Sequence, residues 1–161
     1  MTTLRIIFIL IGLTIPCIGS SQNFKTEDLK VLVERTIKAL QEKDTLAFID
    51  LWAYNASNTQ YGGLDNNISY EFSDENNIKN NFKAIQTNWA SFLKEKITVV
   101  NIEHNKNIDN KESAKLFGHA YFVNLITSNN IKCSFGFTVR KKKGIVKYGQ
   151  CELPVSACKE K

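Results

Sequence analysis

Two long runs separated by three turn-forming residues decide the fold: Ala114–Thr127 (AKLFGHAYFVNLIT), then Ser128-Asn129-Asn130, then Ile131–Arg140 (IKCSFGFTVR). Apolar and polar side chains alternate along both runs, as they do in a strand with one buried face, and the short Asn-rich break reads as a hairpin turn. The same alternation extends outward on both sides. Ile97–His104 precedes the hairpin across the polar stretch Asn105–Ser113, and Ile145–Leu153 follows it across Lys141-Lys142-Lys143-Gly144. Short connections make neighbours antiparallel, so the C-terminal half predicts a four-stranded antiparallel sheet. Towards the N-terminus the period becomes helical. Thr26-Glu27-Asp28 reads as a helix start with a capping hydroxyl, ahead of Leu29, Leu32, Val33, Thr36, Ile37 and Leu40 at helical spacing. Asp44 reads as the cap of a second helix carrying Leu46, Phe48, Ile49, Trp52 and Ala53. Ile78, Phe82, Ile85, Trp89, Phe92 and Leu93 mark a third. Helices first and a sheet last is an α+β layout. Asn55–Asn77, rich in asparagine and interrupted by Gly62-Gly63, reads as a long loop.

Composition fits that layout. At 161 residues, 43% apolar and 23% charged, the chain has one domain's length and a globular make-up. A net charge of +5 is too mild for a nucleic-acid binder. Arg5, the apolar run Ile6–Ile18 and the small residues Gly19, Ser20 and Ser21 have the three parts of a secretory signal. Residues 1–21 are therefore expected to be removed, leaving 22–161 as a single domain in the periplasm or outside the cell. Pro16 directly before Cys17 departs from the Leu-Ala-Gly-Cys pattern of lipoproteins, so membrane contact is expected only through the leader, with a lipid on Cys17 as the lesser alternative.

Ala39-Leu40-Gln41-Glu42-Lys43-Asp44 and Phe48-Ile49-Asp50-Leu51-Trp52, followed by a third helix and long antiparallel strands, resemble the opening and element order of nuclear transport factor 2-like domains. That resemblance, which extends to SnoaL-like and ketosteroid-isomerase-like proteins, implies three helices on a strongly curved sheet in a cone-like roll. Enzymes of the fold place a carboxylate and tyrosine donors in the cone. Here Asp50, Tyr54 and Tyr61 are the corresponding candidates near the pocket mouth.

Strand alternation assigns the remaining candidates. With Asn129-Asn130 as a two-residue turn, Phe122 faces Phe137 and Asn124 faces Phe135 on the side that meets the helices. In the cone that the resemblance implies, Trp52, Phe82, Trp89, Phe122, Asn124, Phe135 and Phe137 would line the cavity. His119, Tyr121, Val123 and Leu125 fall on the opposite face, suited to solvent or to a second copy of the chain. His119 would point at Arg140 and act structurally, and His104 would end its strand exposed. Two histidines without a carboxylate or cysteine at ligand spacing predict no metal site, and no cofactor is expected. Lys132–Val139 resembles an RNA-binding strand, but a glycine is missing and the element order differs, so its phenylalanines read as core. Without the leader, Cys133, Cys151 and Cys158 remain. A four-residue turn at Lys141–Gly144 sets Cys133 opposite Glu152, and a three-residue turn sets it opposite Cys151. Cys151–Cys158 is the preferred pair, closed by a bend at Pro154, with Cys133 as an interior filler.

These features predict a non-catalytic domain that binds a small molecule or partner in its cavity. Two alternatives stand beside it: an enzyme using Asp50 with Tyr54 or Tyr61, and a structural homodimer joined through His119, Tyr121, Val123 and Leu125.

Overall fold

Among the described residues the N-terminal period becomes three helices, α1 (Thr26–Gln41), α2 (Thr45–Asp50) and α3 (Glu75–Asn88), with a 3-10 turn at Phe92–Lys94. The computed structural model describes residues 24–53, 75–109, 114, 118–149 and 153–158. The leader, Tyr54, Tyr61 and Cys151 lie outside the described residues. Helix α1 starts after Lys25, which makes no side-chain cap, so Thr26 is its first residue and not its cap. Glu27 and Asp28 in the first turn complement the helix dipole, and the expected apolar stripe is buried. Asp44 caps α2, its carboxylate accepting from the Ala47 N–H at 2.9 Å. Helix α3 buries Ile78, Phe82 and Ile85 and stops before Trp89, which with Phe92 is carried in the following turns.

Four antiparallel strands follow in the order β1 (Ile97–His104), β2 (His119–Thr127), β3 (Lys132–Lys142) and β4 (Ile145–Tyr148). The layout is α+β as expected, with helices packed on one face of the sheet. The register of the central hairpin is not the expected one. Tyr121 pairs with Phe137, Val123 with Phe135 and Leu125 with Cys133. All three turn residues, Ser128-Asn129-Asn130, are used. Asn130 takes a left-handed φ of 62°, and the Thr127 N–H donates to the Ile131 carbonyl at 3.0 Å. A three-residue loop closed by a left-handed residue replaces the two-residue turn, and asparagine tolerates that conformation. One residue of slip exchanges the two faces of β2. Tyr121, Val123 and Leu125 are core, whereas Phe122 is 45% exposed on the outer face, where its ring covers Gly136. Asn124 also stands on the outer face, bonded to Asn101 and Ser134. Two expectations are thereby corrected: Phe122 and Asn124 line no interior space, and Tyr121, Val123 and Leu125 form no docking face.

A bulge in β1 keeps its core face in step. Val99 pairs with Leu125 and Ile102 with Val123, leaving Val100 as the extra, exposed residue.

The second hairpin departs in the opposite sense and turns more tightly than expected. Lys142 pairs with Ile145, so only Lys143 and Gly144 form the turn, with φ of 51° and 80°. Positive φ at both positions is the type I′ turn that suits the strand twist. Strand β4 ends at Tyr148, where the Tyr148 N–H donates to Leu51 O and Ala53 N–H donates to Tyr148 O, each at 2.8 Å. Cys133 therefore lies beyond the end of β4. It is bonded instead to Cys158, with the Cα atoms 4.9 Å apart. This replaces the expected Cys151–Cys158 pair, because the turn at Pro154–Ala157 brings the tail back over the core face of β3.

Aromatic rings hold the layers together. Trp89 meets Phe135 at 5.5 Å between centroids, Phe137 meets Tyr148 at 5.6 Å, Tyr148 meets Trp52 at 4.8 Å, and Trp52 meets Phe48 at 4.5 Å. Phe48 continues the series to Phe82 at 5.0 Å. At its centre the Thr36 hydroxyl donates to Leu32 O at 2.8 Å, so the Tyr148 hydroxyl is the donor in the 2.7 Å bond to Thr36. Burial pushes the Tyr148 phenol well above its usual range. Tyr148→Phe removes one bond while Thr36 keeps its other partner, so a loss of about 1 kcal/mol is expected in urea unfolding. No helix among the described residues is long and apolar enough to cross a membrane.

Candidate functional site

Among the described residues the expected cavity lining, Phe122 and Asn124 apart, gathers at the centre of the core. Trp52, Phe82, Trp89, Phe135 and Phe137 are brought together as expected, but they are buried in mutual contact and enclose one another. Among the described residues, a cavity of about 190 Å³ lies at the surface, between α1 (Asp28, Val31, Arg35) and the β3–β4 turn (Gly144, Ile145, Val146). That is below the ~300 Å³ at which small-molecule pockets begin.

Asp50 is held as a structural acid. Its carboxylate lies 2.9 Å from Lys147 Nζ and 3.4 Å from Arg35 Nη2, with the side chain 62% exposed. The hydrogen bond from Lys147 is the main cause that holds its carboxyl below the usual value; burial opposes this, and the charges of Lys147 and Arg35 assist it. A proton-abstracting carboxylate needs the opposite shift. Because the folded-state pKa is depressed, the stabilisation is full above the unfolded value and fades as pH falls below about 4. At this exposure it amounts to less than about 1 kcal/mol. Asp50→Asn should therefore cost that much at neutral pH and almost nothing at pH 2, read from urea midpoints.

Three polar side chains converge elsewhere, at one end of the core face. His104 ends β1 directly opposite Tyr121, and His119 opens β2 two positions before Tyr121, so both imidazoles share the Tyr121 face. A turn then brings Asp109 back to them: the Asn105 N–H donates to Ala120 O at 2.8 Å, and the Asp109 N–H donates to Asn105 O at 3.2 Å. Asp109 Oδ2 accepts from His119 Nδ1 at 3.0 Å and from His104 Nε2. A carboxylate only accepts, so each of those ring nitrogens carries a hydrogen. The Asp109 side chain is 4% exposed, whereas His104 and His119 are 32% and 25% exposed. Burial alone would raise the Asp109 carboxyl, but the hydrogen bonds and charges of the two histidines outweigh it and hold the pKa below its usual value.

Neighbouring rings fix both imidazoles. Tyr121 lies 5.2 Å from His104, and Phe24, just before α1, lies 5.7 Å from His119. Burial raises the Tyr121 phenol, a backbone bond from Phe24 opposes this, and the charge of Asp109 adds to it. The chain enters β2 through Gly118 at φ +91°, where an added Cβ would lie 2.3 Å from Val139 O. Only glycine fits there, and it delivers His119 to its place.

Sequence spacing missed this group. Asp109 stands five residues after His104 and ten before His119, a separation that signals nothing until a turn closes it. The one available signal was the pairing of a strand-ending His104 with a strand-opening His119 across a connection containing an acid. Comparison of the chain with family models, curated proteins and solved structures finds no match.

Proposed function

We propose that this is an exported, non-catalytic binding domain that works through the end of its sheet where His104, Asp109 and His119 meet. The observation that carries this is the meeting of two solvent-reachable imidazoles on one buried carboxylate, at His104, Asp109 and His119. Charged groups as buried as Asp109 are retained where partners hold them, and such clusters concentrate at binding sites. Export is supported by the leader-like residues 1–21 and by the Cys133–Cys158 disulfide, a bond that persists in oxidising compartments. The order of three helices before four antiparallel strands supports assignment to the nuclear transport factor 2-like roll. Native mass spectrometry of the full chain purified from its host tests the binding role. A bound mass in the wild type that disappears in His119→Gln is expected. A bare polypeptide, or the same bound mass in both proteins, would refute it.

A further inference from the structure

We infer that the ligand at His104, Asp109 and His119 is a single divalent transition-metal ion of the zinc class, an inference that rests on the binding end proposed above. The donor atoms of the three side chains all lie within 4.8 Å of one another. A tetrahedral ion with bonds of about 2.0–2.1 Å requires donors about 3.3 Å apart, so small side-chain rotations would close the group around it. Two imidazole nitrogens are borderline donors that outnumber the one hard carboxylate oxygen. They suit Zn2+, Ni2+ or Cu2+, whereas Ca2+ and Mg2+ take oxygen cages. Three protein donors leave one position of a tetrahedron open, and the exposed edges of both imidazoles provide its path to solvent.

The support around the donors is of the kind a metal site needs. His104 and His119 are fixed at strand ends, and their rings rest against Tyr121 and Phe24. Asp109 is anchored by the Asn105 turn. The two hydrogens now directed at Asp109 Oδ2 occupy the space between the donors. On binding, each ring hands that hydrogen to its other nitrogen or to water, and the ion replaces both hydrogen bonds with direct ligation to the same oxygen. No covalent or redox step is involved.

Calorimetry with ZnCl2 on the chelator-treated, disulfide-intact full chain tests this, with CaCl2 and MgCl2 as controls. One zinc per chain is expected at micromolar affinity or tighter, with no heat from calcium or magnesium. His119→Gln and Asp109→Asn, both close in shape to the native side chains, should each weaken zinc binding by about 100-fold or more. Circular dichroism establishes that these variants fold. Should either fail to fold, Co2+ added to the wild type gives an independent readout: four-coordinate visible absorption that stoichiometric zinc removes. Absence of both zinc heat and cobalt absorption would overturn the inference, as would undiminished zinc binding in the two variants. A non-metal mass lost in His119→Gln, without zinc affinity, would overturn the metal and leave the binding role standing.

Discussion

Val123→Lys should prevent stable folding, while Phe122→Lys at the adjacent position should cost less than about 1 kcal/mol. Val123 is fully buried between Phe135 and Ile102 on the neighbouring strands, whereas Phe122 lies on the outer face and is 45% exposed. Lysine at position 123 loses the burial of a valine, about 1.5–3 kcal/mol, and places an ammonium without a partner in the core at several kcal/mol more. The total is above about 4 kcal/mol, a large share of the ~5–15 kcal/mol that holds a domain folded. At position 122 the ammonium remains in water and only a partly exposed ring is lost. The two-residue turn predicted from sequence would reverse these outcomes, because it turns Phe122 inward. Urea midpoints of the two variants therefore decide the register of the central hairpin.

Removal of the Cys133–Cys158 bond is the second large effect. The bond closes 25 residues of sequence separation, and the entropy of closing such a loop in the unfolded chain corresponds to about 3.5 kcal/mol at 25 °C. The double variant Cys133→Ala/Cys158→Ala should lose roughly that amount, read from urea unfolding. The loss should fall first on the tail. Leu153 exchanges two hydrogen bonds with the Asn81 side chain, at 2.8 and 3.0 Å, and the Trp89 indole N–H donates to Val155 O at 2.8 Å. Those bonds hold the segment only while it stays near. Hydrogen exchange at Leu153 should accelerate in the variant more than exchange at Val123, whose bonds belong to the central strands. Equal acceleration at both would mean that the tail and the sheet open as one unit.

Side-chain period made the element types readable, because a buried helix stripe and a half-buried strand impose different spacings on Leu29–Leu40 and on Ile97–His104. The turns were harder. Whether Ser128 belongs to the loop depends on whether Asn130 accepts a left-handed backbone, and that choice settles which face of β2 is core. The same limit applied to the second hairpin, where Lys143 takes a positive φ that its side chain does not advertise. Register in turn controlled the site residues. Once Tyr121 turned inward, His119 and His104 came to the core face with it, and the Asn105 turn supplied Asp109. Apolar period also gathers Trp52, Trp89, Phe135 and Phe137 into one aromatic cluster, which is a statement about burial and not about a ligand.

The placement of the two tryptophans has an optical consequence. Trp52 is enclosed where α2 meets β4, against Phe48 and Tyr148, while Trp89 is hydrogen-bonded to the disulfide-anchored tail. The chain thus carries one chromophore at the α2–β4 junction and another at its latch. In a Trp52→Phe background the remaining emission reports release of the tail alone, shifting to longer wavelength on reduction before the far-ultraviolet signal of the helices changes.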